Sequence, residues 1–495
     1  MLLWFVILYL MISVGIGLWA ATRVHSAKDF AVAGRSLPLP VVTATVFATW
    51  FGAEAVFGIP ATFVQDGLGG VVADPFGSSM CLILAGIFFS TYLYKLNIIT
   101  LGDFYRIRYN RTVEIITTLC IVISYLGWVA AQIMALGLIF NVVTAGSVSQ
   151  EAGMILGAAI VLTYTTFGGM FSVAFLDFVQ MMVSMGGLLF IGWTVSGMTG
   201  GVAPVIEHAS QAGKLEFFPP ADPWLWVTFL GAWITMMLGS IPQQDVFQRI
   251  TSAKSAKVAI WGSVLGASIY FCFTFVPMFI AYAATMIDPA KFSAIIAQDS
   301  QLVLPTLVLE SMPLFAQVLF FGAVLSAIMS CSSATLLAPS VSFAENVVKG
   351  FFPHMGDRAF LRVMRICLVC FTLIVLSVAL NSEASIFEMV ENAYKVTLAG
   401  AFVPLLFGAL WKRATTQGAL AATLGGLLSW ILIEILIGEA SLIPPQLIGL
   451  AVSAVGMVLG SLLPQWVGHK HPQAPDFLHE HASQAHSGAH PHHHH

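Results

Sequence analysis

Charge is the scarcest feature of this chain. Only 9% of its 495 residues are Asp, Glu, Lys or Arg, where a soluble globular chain carries about 25%. That deficit excludes a soluble globular domain, while a net charge of −4 is small and says little about partners; nucleic acid is not expected among them. Cysteine is nearly as rare. Cys81, Cys120, Cys272, Cys331, Cys367 and Cys370 all fall in or near apolar runs, where cysteine acts as a small hydrophobe. No disulfide framework and no cysteine metal site is expected, and Cys367-x-x-Cys370 on an apolar stretch reads the same way. Metal-ligand spacings and nucleophile elbows are also missing from the apolar runs, so an enzyme is not expected. Of 13 histidines, ten follow Trp466 and end in HPHHHH. That tail reads as a loose metal binder or part of a purification tag, and it is assigned no function.

What is abundant is apolar sequence, 58% of the chain. A bilayer crossing needs about 20 such residues, so length here counts spans. The apolar windows predict an all-α polytopic membrane protein with thirteen helices, near 2–20, 38–64, 71–95, 114–144, 150–167, 171–197, 223–241, 258–285, 313–347, 361–380, 387–411, 417–437 and 443–467. The first begins almost at Met1 with neither a basic n-region nor a small-residue cleavage site, so it reads as a retained helix.

The basic residues alternate with those spans. Arg23, Lys28, Arg35; Lys95, Arg106, Arg108, Arg111; Arg249, Lys254, Lys257; Lys349, Arg358, Arg362, Arg365; Lys412, Arg413; and Lys470 all fall in alternate loops or the tail, leaving three of the 20. Those are Lys214, Lys291 and, inside a span, Lys395. The positive-inside rule then puts the N-terminus outside and the C-terminus in the cytoplasm of a cell membrane, by this reading a bacterial inner membrane. Asn110-Arg111-Thr112 matches a glycosylation acceptor but lies in a basic inside loop, and is discounted.

Chemistry inside a bilayer concentrates at broken helices and intramembrane polar residues. The second span carries Gly52, Glu54 and Pro60. The seventh, five spans later, carries Gly239 and Pro242, then Gln243, Gln244 and Asp245. Matching interruptions predict two repeated halves with a site between them near the midplane. An unwound helix exposes carbonyls that suit a small hard cation. On the ninth span, inside SAIMSCSS, Ala327, Ser330 and Cys331 follow i, i+3, i+4 and share a face. Either the Ala327 carbonyl and the two side chains complete a sodium cage with two carbonyls of the second span, or small residues let helices pack closely.

ATWFGAE, TFGGMFSVAFLDFVQ, LGSIPQQDVFQRI and FFGAVLSAIMSCSSATLLAPSVSFAENV, with the KDFAVAGRSL loop, resemble the solute:sodium symporter family from residue 28 to about 413. Within that family the likeness runs toward the high-affinity choline transporter branch. The resemblance implies two inverted five-helix repeats, spans 2–6 and 7–11, working by alternating access with Na⁺ driving solute uptake. It divides the chain into 1–37, 38–197, 198–413, 414–467 and a tail at 468–495. It implies a sodium site at Ala48, Phe51, Ala327, Ser330 and Cys331. The family has Ser or Thr at the last position, and a thiol is a poor ligand for a hard cation. A second sodium site in some members matches at Asp177 and Ser333 but departs at Ala334, so one Na⁺ is expected. Asp177 then serves the ion's exit path or pairs as a helix-end acid.

The choline branch implies an aromatic cage for a quaternary ammonium. Trp50 and Trp128 match two of its positions, and Gln243 stands at a third. Ala55 and Trp50 depart from the sugar branch, which argues against a sugar. Glu54 can neutralise a cationic solute, take a proton or cap the broken helix; Gln132 and Trp233 add hydrogen bonds and stacking. A small amino acid, a compact quaternary amine and a carboxylate all stay open, as do proton coupling, sodium independence and a transporter-like sensor. No selectivity-filter-like ring argues for a channel, and the tail after residue 467 is too short for a signalling domain. The expected partners are the solute, Na⁺ and lipid, with no obligate protein partner.

Overall fold

The computed structural model describes residues 1–467; the His-rich tail lies outside them. The described residues form helices throughout, with one isolated β-bridge, Leu37 to Ala253, and no strand. Ten helical segments are long and apolar enough to cross a bilayer, and three further pairs qualify as bent spans. Two of the ten need closer reading. Gln150–Thr199 has 50 residues, about 75 Å at the helical rise, far more than one crossing. It turns sharply at Gly169 (φ 53°, ψ −135°), so it holds spans 5 and 6. Pro289–Ser311 is two short helices, Pro289–Asp299 and Val303–Ser311, parted at an extended Asp299. Neither is longer than about 17 Å, too short to span. The count is thirteen.

The remaining spans fall where hydropathy puts them, with differences at the breaks. Span 2 is Leu39–Trp50 plus Glu54–Asp66, bent by 57°, and span 7 is Pro223–Gly239 plus Gln244–Ser252, bent by 44°. Span 7 therefore runs well past residue 241. Span 11 is also bent, by 48° between Ile386–Gly400 and Phe402–Leu410; Pro404 in the first turn of the second half cannot continue the ladder backwards. Short helices at Ala27–Val32, Leu101–Arg108 and Val202–Gln211 lie between spans. Asn110, the discounted acceptor, caps span 4 by taking the Val113 N–H at 3.0 Å.

Five is an odd number, so a five-span repeat that recurs must re-enter from the opposite side. Spans 2–6 and 7–11 are inverted in this way, and each opens on a broken helix. Loop contacts define two ends. At one, Leu37 N–H donates to Ser252 O (3.0 Å), Arg108 binds the carbonyls of Gly408, Trp411 and Ala414, and Arg365 binds those of Thr166 and Phe167. At the other, Leu68 N–H donates to Lys214 O (2.8 Å) and Ile386 N–H to Gln301 Oε1 (3.3 Å). Leu8, Trp193, Leu428 and Ile435 are exposed on the outer surface, as lipid contact requires. The polar side chains collect inside.

Candidate sodium and solute sites

Span 2 breaks where its backbone has no side chain to spare. Phe51 leaves helical geometry at φ −88°, ψ 73°, which swings its carbonyl off the helix axis. A methyl group on Gly52 would lie 2.5 Å from Cys331 Cβ, 2.7 Å from its sulfur and 2.6 Å from Gln132 Oε1. Glycine is what lets spans 4 and 9 close on the break. Gln132 fills it: its Oε1 accepts the Ala53 N–H (2.8 Å), and its Nε2 donates to Glu54 Oε2 (2.6 Å).

On span 9, Ser330 Oγ lies 3.3 Å from Ala48 O and 2.9 Å from Ala327 O. Two carbonyls and a hydroxyl thus converge, one carbonyl from each repeat, and Cys331 is buried beside them against Gly52. This hard oxygen set fits a small cation; the sulfur does not. Ser332 and Ser333 turn elsewhere, to Ile328 O (2.6 Å) and Ser330 O (3.0 Å). Asp177 makes no hydrogen bond with the three converging oxygens. Thr45 Oγ1 donates to its Oδ2 at 2.6 Å, and its buried Oδ1 has no partner.

Beside the break, aromatic rings gather. Trp50 meets Trp128 at 6.2 Å between centroids, Tyr270 at 6.5 Å and Tyr394 at 6.4 Å; Trp128 stacks on Tyr125 at 5.7 Å. Carboxylates lie behind them. Asp245 Oδ2 accepts the Trp50 indole N–H (2.8 Å), and its Oδ1 pairs with the Tyr125 hydroxyl. Asp74 Oδ1 takes hydroxyls from Tyr270 (2.5 Å) and Ser78 (2.6 Å). Arg249, also buried, reaches Thr49 Oγ1 at 2.8 Å. Trp50, Asp245, Thr49, Leu82 and Arg249 enclose about 10 Å³, roughly one water's worth and too little for an organic solute. A cavity of about 600 Å³ lies elsewhere, walled by Phe63, Trp193, Phe275 and Tyr282, and none of the expected site residues lines it.

Trp50, Glu54, Trp128 and Gln132 are therefore neighbours. Gln243 reaches the same region from the break of span 7, bonding Ser124 (3.1 Å) and Thr397 (3.2 Å). Trp233 is not among them. It packs on Phe217 and Phe229 at 5.6 and 5.7 Å, six helical residues, about 9 Å, before the helix ends at Gly239 and the break leads to Gln243. Sequence reasoning passed over Tyr125, Tyr270, Tyr394 and Asp74. An acid within an apolar run was signal enough for Asp74; a lone tyrosine in a span carries none.

Residues 30–426 match the model of the sodium:solute symporter family. The chain belongs to that family. High-affinity choline transporter 1 of Drosophila melanogaster is 27% identical, the alignment covering 84% of this chain and 68% of the relative. The Homo sapiens protein of that name is 26% identical (85% and 74%), and a sodium/glucose cotransporter of Vibrio parahaemolyticus 24% (83% and 81%). In fold, the chain superposes on a Na⁺-coupled sialic acid symporter with a TM-score of 0.80 at 18% identity, covering 93% of this chain and 97% of that one. A nucleobase-cation-symport-1 family transporter in a closed conformation gives 0.58 at 15%, covering 91% and 98%. Family and fold make this a multi-pass membrane transporter that couples sodium to the movement of a small organic solute.

Proposed function

We propose that the solute is a small organic cation, bound between Trp50, Trp128, Tyr270 and Tyr394 with Glu54, Asp74 and Asp245 as its counter-charges. The observation that carries this reading is a charge imbalance. Glu54, Asp74, Asp177 and Asp245 are buried in the middle of the bundle, and among the described residues Arg249 is the base buried with them. Among the described residues no Lys or Arg lies within ion-pair distance of any of the four, and the charge of Arg249 acts on Asp177 and Asp245. Glu54 and Asp74 have no such base, and an uncompensated carboxylate in a low-dielectric interior costs several kcal/mol, a cost that a cationic cargo lying against them removes. Ring faces supply about 0.5–2 kcal/mol more for a cation lying against them. Gln243 adds an amide at the rim, and Trp233 drops out of the pocket.

One Na⁺ supplies part of that charge, at Ala48, Phe51, Ala327, Ser330 and Cys331, with Asp177 and Ser333 near its path. The repeats 38–197 and 198–413 move against each other around this centre, with 1–37 and 414–467 flanking them. The basic end faces the cytoplasm of a bacterial inner membrane, with the N-terminus outside. The test is thermal unfolding of the purified protein in Na⁺ and in K⁺ buffer, against organic cations, zwitterions, carboxylates and sugars. A ligand at a hundred times its Kd stabilises by about 2.7 kcal/mol. Cations should raise the Tm, and more in Na⁺. Stabilisation by carboxylates or sugars alone would overturn the reading.

A further inference from the structure

Glu54 and Asp74 reach the aromatic rings from different spans, close enough that the charge of one acts on the other and both act on Tyr270. Each carboxylate is held by one oxygen. Glu54 Oε2 takes the Gln132 amide (2.6 Å); Asp74 Oδ1 takes both Tyr270 (2.5 Å) and Ser78 (2.6 Å). Among the described residues the hydrogen bonds to these two acids go to Glu54 Oε2 and Asp74 Oδ1, which leaves Glu54 Oε1 and Asp74 Oδ2 for a ligand. A second, independent feature points at the same place. Trp128 is only 1% exposed, and its indole N–H has no hydrogen-bond partner. One turn from Gln132, that N–H is directed at the Glu54 carboxylate and lies close enough to act on it, short of full hydrogen-bond geometry. Fixed on one side and open on the other, the two acids present acceptors to whatever lies against Trp50 and Tyr270.

A quaternary ammonium has no N–H to give such acceptors and is held by ring faces alone. A primary ammonium has three donors, and hydrogen bonds from an ionised donor to a carboxylate are short and strong. The break of span 7 presents Gln243, an amide and not a ring face, and that amide is already engaged with Ser124 and Thr397. We infer that the solute is a protonated primary or secondary amine, read through its N–H groups by Glu54 Oε1 and Asp74 Oδ2. This rests on the organic-cation reading and narrows it. Glu54 and Asp74 are then the residues that set specificity, while the rings supply a less selective attraction.

The experiment uses matched pairs that differ only in N-methylation, such as ethanolamine with its mono-, di- and trimethyl derivatives and ethylamine with its own. Binding is read by thermal shift of the full chain in Na⁺ buffer and by competition in proteoliposome uptake. Affinity should fall with each methyl group, by about tenfold or more from the primary to the quaternary member, the size expected for a desolvated charged acceptor left without its donor. Glu54→Gln and Asp74→Asn should flatten the series rather than abolish sodium-dependent stabilisation. A quaternary member that binds as well as its primary partner would overturn the inference and leave the organic-cation reading standing. If no cation binds and carboxylates do, both fall. Should either variant fail to fold, the wild-type series decides alone.

Discussion

Ser330 and Cys331 are neighbours in sequence with unequal parts at the ion site. Ser330 Oγ sits within 3.3 Å of the Ala48 carbonyl and 2.9 Å of the Ala327 carbonyl, so it is the side chain that joins the two repeats there. Ser330→Ala removes a hard ligand and should raise the Na⁺ concentration for half-maximal uptake about tenfold, equivalent to 1.4 kcal/mol. Cys331→Ser keeps the volume and replaces soft sulfur with hard oxygen, so it should lower that concentration. Initial uptake rates against Na⁺ at fixed solute check both; a curve unmoved by Ser330→Ala would make the serine a packing residue. The spacing of Ala327, Ser330 and Cys331 was legible because helical periodicity alone puts them on one face. Tyr125, Tyr270 and Tyr394 were not, because aromatic residues are common in apolar helices and only the packing of spans 4, 8 and 11 brings these three around Trp50. Trp233 failed for the converse reason: it shares a span with Gln243 but sits mid-way along the helical half, more than a turn before the break, and packs on Phe217 and Phe229.

Helices and their breaks were read with uneven success for a related reason. Glycine and proline mark where a ladder can stop, and they announced the breaks in spans 2 and 7. They do not say whether a 50-residue helical run is one element or two, and Gly169 decides that. Its φ of 53° is left-handed, and an added Cβ would lie 2.5 Å from the carbonyl oxygen of Phe30. Gly169→Ala therefore meets about 1–2 kcal/mol of backbone strain plus a clash with main chain that cannot rotate away. Its Tm in detergent should drop by several degrees or the protein should fail to accumulate. Gly186, helical and with nothing within 4 Å of an added Cβ, provides the control: Gly186→Ala should leave the Tm unchanged or raise it, since alanine is favoured over glycine in a helix interior by about 1 kcal/mol. Equal behaviour of the two variants would mean that the turn between spans 5 and 6 does not depend on that glycine. The bend in span 11 carried the same kind of signal in Gly400 and Pro404, but the apolar run around them is long enough to read as one unbroken helix.

The whole molecule has an electrical polarity that its net charge hides. Fifteen of the 19 described Lys and Arg residues fall at or near the end of the molecule that holds the Leu37–Ala253 bridge, Arg108 and Arg365, while Arg249, expected in a loop there, is buried within the second half of span 7. Lys214 and Lys291 fall in loops at the other end, where Lys291 is paired with Glu310. The hydrogen bonds between loops fix which ones share an end without any reference to a bilayer, and they sort the loops as the alternation of basic residues did. What they cannot supply is which end meets the cytoplasm; the positive-inside rule supplies that. A membrane-impermeant maleimide on intact cells tests it. Cysteines introduced at Gln211 and Ala290, both exposed near the two isolated lysines, should label from outside well above the unsubstituted protein. One at Arg362, exposed on the basic end, should label only after the membrane is permeabilised. Labelling of Arg362→Cys alone in intact cells would invert the orientation while keeping thirteen spans. Labelling of all three from one side would break the grouping of loops into two ends, and the inverted repeats with it.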